Sequence, residues 1–193
     1  MIPVLILAAG QSSRMRGTDK LMRDVHGVPL LRRQIDTAKG IGPIYVALPS
    51  DNHPRLAALN GTSAIPLIVP MASEGIGGTM RGAVAQLPEC DAFMIILGDL
   101  ISLTNSDLMG VLNATKTYKN DLIWRSATPD GKPGHPIIFD ASLRPAFADL
   151  RGDSGGESIV KPLAARTHLH RFNDNRARHD LDTPEDWSAW QSQ

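Results

Sequence analysis

"LAAGQSSRMRGTDK" occupies residues 7–20, directly after the apolar opening "MIPVLI". Within that opening and its continuation, "VLIL" (4–7) reads as a short buried strand. Gly10, Ser12, Ser13 and Gly17 then supply turn chemistry and uncluttered backbone N–H groups. Arg14, Arg16 and Lys20 gather just where such a turn opens at the end of a strand. Cations and free N–H groups in one loop suit a polyanion such as a nucleoside triphosphate. The competing reading is a surface loop whose basic residues are merely solvated.

Outward from this stretch, apolar runs alternate with helical patterns. "GVPLLRRQIDTAKG" (27–40) predicts a helix, with Pro29 in its first turn and Leu30, Leu31, Ile35 and Ala38 on one side. "PIYVAL" (43–48), "PLIVP" (66–70) and the fully apolar "AFMIIL" (92–97) predict strands. "PRLAALN" (54–60) and "TMRGAVAQL" (79–87) predict helices, the second following a glycine-rich loop, "SEGIGG". "TNSDLMGVLNATKTY" (104–118) opens on capping residues and continues as a helix. "DLIWRSA" and "HPIIF" are later strand candidates, "LRPAFADL" and "GGESIVKPL" are short helices, and "TPEDWSAWQ" is a last helix. The alternation predicts an α/β fold, a three-layer Rossmann-like sandwich with a mainly parallel central sheet. With no repeat and no long linker, residues 1–193 are expected to form a single domain. The Gly-, Pro- and Asp-rich region 127–157 reads as functional loops.

Composition excludes several functions. Hydrophobic residues make up 42% and charged residues 21%, and twenty basic residues balance twenty acidic ones. A formal net charge of zero gives no bulk attraction to nucleic acid or to an anionic membrane, so neither is expected as a partner. Cys90 is the single cysteine, which rules out an internal disulfide and fits a reducing cytoplasm. No basic leader and no run of 18 apolar residues occurs, so secretion and membrane spanning are not expected.

Three polar stretches fall at predicted carboxyl ends of strands, where parallel α/β sheets bind ligands: residues 8–20, "SEGIGGT" (73–79) and "GDLIS" (98–102). The P-loop pattern is absent, and "GQSSRMRG" lacks the glycine spacing of a dinucleotide fingerprint. Arg14 and Lys20 are therefore expected to contact phosphate directly, beside the loop N–H groups. Asp99 ends the most apolar strand, where a carboxylate can hold Mg2+ shared with phosphates or can simply cap a turn.

At this point the residues resemble a known family. "LILAAGQSSRMRGTDKL" is similar to the signature loop of the molybdenum cofactor nucleotidyltransferases, within the glycosyltransferase-A-like nucleotidyltransferases. "GVPLL", "EGIGGTMRGAV", "LGDL", "GHPIIFD", "LRGDSGGESIV" and "DLDTPEDW" resemble its later blocks in order, over the length of the chain. The resemblance implies a nucleotide-diphospho-sugar transferase type of fold. It implies that Leu7, Ala8, Ala9 and Gly10 lie beside base and ribose, Arg14 and Lys20 face the triphosphate, and Gly78 and Thr79 approach the nucleotide. Asp99 is then the Mg2+ ligand, with Asp180 or Asp182 as a further metal-facing group, and His135 and Asp153 belong to acceptor-facing blocks. The implied reaction moves a nucleoside monophosphate onto the phosphate of molybdopterin and releases pyrophosphate. Ala-Ala-Gly at 8–10 resembles the cytidylyltransferase subgroup and implies CTP. A GTP-using enzyme, or one with a sugar phosphate or other small phosphorylated acceptor, is the alternative. A molybdoenzyme or chaperone contact is compatible with the resemblance, though no residue points to it.

The chain also departs from the family. Leu100 and Ile101 follow Gly-Asp where Met or Gln and then Pro are frequent, and the Arg14–Lys20 spacer is one residue longer than in many cytidylyltransferases. His135 and Asp153 carry bland readings too, as a turn residue and a helix cap. His168 and His170 are expected on one exposed strand face, and Trp187 and Trp190 on the inner face of the last helix.

Overall fold

In the computed structural model, which describes residues 1–191, the opening run is strand β1 (Val4–Leu7), and every one of its side chains is buried. Alternation along it serves two cores. Val4, Ile6 and Ala8 join one apolar cluster, whereas Leu5, Leu7 and Ala9 join another. A sheet buried on both faces explains why the strand reads as a continuous apolar run.

A two-residue hairpin, β2 (Asp24–Val25) and β3 (Val28–Pro29), leads into α1 (Leu30–Thr37). Pro29 stands at the N-cap rather than inside the first turn, and Leu30, Leu31, Ile35 and Ala38 are buried as expected. The chain continues through β4 (Ile44–Leu48) and β5 (Ile65–Ile68) to α2 (Ile76–Gln86) and β6 (Ala92–Leu97). Then come α3 (Asn105–Thr117), β7 (Ile123–Ala127), β8 (Pro133–Asp140), α4 (Arg144–Phe147), α5 (Glu157–Val160), β9 (Thr167–Arg171) and α6 (Pro184–Gln191). Thr104 caps α3 through a capping box with Asp107.

Seven strands form the central sheet in the order β5-β4-β1-β6-β8-β7-β9, and β8 alone runs against its neighbours. The first cluster packs under α1, α3 and α6, where Trp187 is fully buried, and the second under α2, α4 and α5. The fold is therefore the three-layer α/β sandwich with a mainly parallel sheet. From β1 the chain winds outward through β4 and β5, then returns to place β6 on the other side of β1. That reversal opens a crevice beyond the carboxyl ends of β1 and β6.

Three segments differ from the sequence-based expectation. Residues 54–59 form a 3-10 helix instead of an α-helix. α2 begins at Ile76, so Gly77 and Gly78 belong to its first turn rather than to a loop. A Cβ on Gly78 would collide with the Met71 carbonyl, so glycine here serves close packing. In the 127–157 region the expected strand "HPIIF" is present but longer, as the eight-residue β8, whose tertiary pairing with β6 and β7 carries it through Pro133 and Gly134. No described helix is long and apolar enough to cross a membrane.

Candidate functional site

The crevice is a cleft of about 510 Å³. One wall is the loop after β1, from Ala9 to Arg14 with Lys20 and Leu21; the other runs from Ala72 to Ile76 with Thr79. Leu97, Gly98 and Asp99 form the floor beyond β6, and Asp153 and Asp182 close the rim. The structure thus gathers Leu7, Ala9, Gly10, Arg14, Lys20, Thr79, Asp99, Asp153 and Asp182 around one space. Four of the other residues named from the sequence stand outside its lining: Ala8, Gly78, His135 and Asp180.

Charge is concentrated at one end. Lys20 Nζ lies 2.5 Å from Asp99 Oδ2 and 2.7 Å from Asp182 Oδ1, and Arg14 Nη1 lies 2.6 Å from Asp182 Oδ2. Burial works against the Lys20 ammonium, yet the two carboxylates outweigh it and raise its pKa above the ordinary lysine value. Burial likewise raises Asp182, but its bonds to Lys20 and the charges of Lys20 and Arg14 hold it below the usual carboxylate range. Asp180 goes the other way, lifted by burial and by repulsion from Asp182 and Asp99. Oxygens of Asp99, Asp180 and Asp182 lie within 4.8 Å of one another. Asp99 Oδ1 is buried and has no hydrogen-bond partner among the described residues. An orphaned carboxylate oxygen beside two other carboxylates is a donor set suited to a hard divalent cation. The sequence left Asp180 and Asp182 as alternatives; in the structure both approach Asp99, and of the two only Asp182 lines the cleft.

The opposite end is uncharged and rigid. Gly98 N–H donates to the Leu7 carbonyl at 3.0 Å, Ala8 N–H donates to Ala47, and the Ala8 carbonyl accepts from Arg55 at 2.6 Å. Ala9 and Gly10 make no such bonds among the described residues, so their backbone groups are the ones free to meet a ligand. Ala9 itself is 3% exposed and sits in the second apolar cluster. Ala9 also lines the cleft beside Leu7, its neighbour in that cluster.

Across the cleft, Gly75 (φ 110) caps α2, and a Cβ there would strike Asp153 Oδ1. Thr79 Oγ1 donates to the Gly75 carbonyl at 3.2 Å. His135 lies on β8, where burial, then the charges of Arg125 and Arg178, push its imidazole down to about 3 and keep it neutral. His168 stacks on Tyr118 with ring centroids 3.7 Å apart, a packing role rather than a ligand pair.

Residues 4–170 match the family model of the MobA-like NTP transferase domain. The chain belongs to that family. The Bifunctional protein GlmU of Clavibacter sepedonicus is 27% identical over 183 residues, covering 91% of this chain and 35% of that protein. This chain spans roughly a quarter to a third of the length of such curated relatives. Among solved structures, Rv0371c from Mycobacterium tuberculosis H37Rv superimposes with a TM-score of 0.80 at 23% identity, covering 100% of this chain and 99% of that one. CMP:2-keto-3-deoxy-manno-octonic acid synthetase complexed with CTP gives a TM-score of 0.72 at 15% identity, with 100% and 98% covered. These likenesses carry the fold, and the family match places the chain among the nucleotidyltransferases.

Two residues missing from the sequence reading are Arg55 and Asp19. Arg55 is 2% exposed and forks onto Asp19, with Nε to Oδ2 and Nη2 to Oδ1 both at 2.8 Å. Nothing in "DNHPRLAAL" distinguishes a buried arginine from a solvated one.

Proposed function

We propose that this family member is a divalent-metal-dependent nucleotidyltransferase that moves CMP from CTP onto the phosphate of a molybdopterin-type acceptor and releases pyrophosphate. The observation that carries the reaction class is the pairing of Lys20 with Asp99 and Asp182 at the mouth of β1 and β6. A cation and a donor set for Mg2+ meet there, beside a loop with open N–H groups. The Ala-Ala-Gly form of the loop supports CTP, and the ordered later blocks support the molybdopterin acceptor.

In this reading an acceptor phosphate oxygen attacks the α-phosphorus, and the bond from that phosphorus to the pyrophosphate oxygen breaks. A phosphomonoester is largely anionic near neutral pH, so no dedicated base is needed. Asp99 and Asp182 would hold Mg2+, with Asp180 alongside, and the ion would supply charge neutralisation to the phosphates. Lys20 and Arg14 exchange their carboxylates for phosphate oxygens and stabilise the departing pyrophosphate. Ala9 and Gly10 offer backbone groups to base and ribose, with Leu7 and Thr79 as walls and Gly78 as a packing residue behind Thr79. His135 and Asp153 border the acceptor side.

A matrix of nucleoside triphosphates against phosphorylated acceptors, read as pyrophosphate release with Mg2+ or Mn2+, tests this. CTP with molybdopterin is expected to give the fastest release. Release only with a sugar phosphate would keep the reaction class and replace the acceptor. No release with any pair would overturn the reading.

A further inference from the structure

We propose that Arg55 is a positioning residue that sets the span of the nucleotide loop, working through Asp19, Ala8 and Ser12 without touching the nucleotide. The inference rests on the nucleotidyltransferase reading and names a part of that site which neither motif nor family assigns.

Arg55 stands outside the cleft lining and is 2% exposed, so contact with a ligand is closed to it. Its guanidinium instead grips the loop at three places. Nη1 donates to the Ala8 carbonyl at 2.6 Å, at the end that faces base and ribose. Nη2 reaches Ser12 Oγ at 3.2 Å, in the middle. Nε and Nη2 hold both oxygens of Asp19, and Asp19 Oδ1 also accepts the Leu21 N–H at 3.0 Å. Asp19 thereby caps the 3-10 turn that begins with Lys20. One side chain fixes where the base end starts and where the phosphate-facing lysine is launched.

The loop needs such a hold. Ser12 and Arg16 both adopt left-handed backbone, with φ of 50° and 52°. For residues with a Cβ that conformation is uncommon and persists only where surrounding contacts determine it. A planar five-donor fork can meet a carbonyl, a hydroxyl and a bidentate carboxylate together, whereas a lysine ammonium at the same site can meet only part of that set.

Arg55→Lys therefore loosens the loop while preserving charge. Expected results are a rise of about tenfold in both Kd and KM for CTP, a kcat within about threefold of wild type, and an unchanged KM for the acceptor. Calorimetry with CTP and Mn2+ but no acceptor reads the Kd. Asp19→Asn, which keeps shape and loses the charge, is expected to weaken CTP similarly, and the two changes together to cost little more than either alone. Wild-type CTP affinity in folded Arg55→Lys overturns the proposal, as does a loss confined to thermal stability. Should Arg55→Lys fail to fold, Asp19→Asn decides, and wild-type affinity there is equally fatal. Failure of the wild-type protein to bind any nucleotide would instead remove the functional reading on which the clamp depends.

Discussion

The two ends of the cleft solve opposite problems. At the charged end, Lys20 and Arg14 pair with Asp99 and Asp182 while Asp180 stands beside them without a cation, and each of those ion pairs is of a kind that phosphate or metal can replace. At the uncharged end, Leu7 and Ala8 have already spent their hydrogen bonds on Gly98, Ala47 and Arg55, which holds the backbone in place. Exchangeable charge suits chemistry in which anions must enter and leave. Fixed backbone suits selection, because a rigid donor or acceptor discriminates by position. The contrast predicts large effects on turnover at the first end and modest effects on selectivity at the second.

The largest effect is expected from Asp99→Asn. The amide keeps the shape but removes the charge opposite Lys20 and weakens the donor set around the orphaned Oδ1. Turnover should fall by at least about a hundredfold while the thermal melt still shows a cooperative transition. A folded variant with wild-type rate and metal dependence would make the charged end as inert as the uncharged one.

Lys20→Met comes next and splits two observables. Turnover should drop about tenfold or more, since a charge-assisted contact to phosphate is lost. Removing the ammonium also leaves Asp99 and Asp182 without the cation between them. Added Mn2+ without nucleotide should then raise the melting temperature more than it does in the wild type. An identical Mn2+ response in both proteins would show that the lysine does not compete for those carboxylates.

Acid sensitivity separates the ends further. Burial favours a raised Asp19 carboxyl, but the bonds and charge of Arg55 together with the Leu21 N–H hold it below 3.8. A depressed folded value means the Arg55–Asp19 clamp contributes its full stability above about pH 4 and loses it as pH falls through the lower folded value. Thermal melts between about pH 5 and 2.5 should show a smaller decline for Asp19→Asn than for the wild type over that window. Equal slopes would mean that the clamp carries no charge-dependent stability.

Legibility follows the same division. The charged end was visible in the sequence because cations and an aspartate at strand ends have few structural reasons to be there, and "RMRGTDK" and "LGDL" carry them openly. The strands were visible because residues buried on both faces of the sheet leave continuous apolar runs. Arg55 was hidden because its role depends on a tertiary contact 36 residues away from Asp19, and local periodicity says nothing of that. Glycine misled at residues 77–78, where two of them signalled a loop but serve tight packing of α2 against Met71 and the Arg151–Gly152 backbone. That both Asp180 and Asp182 approach Asp99 was hidden because it depends on the Leu100–Asp180 bridge, which brings the segment after β9 back beside the loop that follows β6.

The smallest effect, and the finest test of the contrast, is Ala9→Gly. Ala-Ala-Gly at residues 8–10 predicts CTP over GTP, and a methyl group crowding a purine is the simplest mechanism. Ala9 is 3% exposed and belongs to the cluster under α2, yet it also lines the cleft, so deleting one methyl opens only a small space there. Any selectivity in this region is then held by the backbone of Ala9 and Gly10, whose position is set by the spent bonds of Leu7 and Ala8 on one side and the Arg55 grip on the other. Glycine at residue 9 adds conformational freedom to that backbone and only a methyl's worth of space, so it should blur the choice rather than reverse it. In competition with equal CTP and GTP, the wild type is expected to favour CTP, and Ala9→Gly to narrow the ratio by less than about tenfold, within the range that one methyl commands. A reversal toward GTP in the variant would put the methyl against the base after all, and GTP winning in the wild type would remove the cytidylyltransferase assignment while leaving nucleotidyl transfer in place.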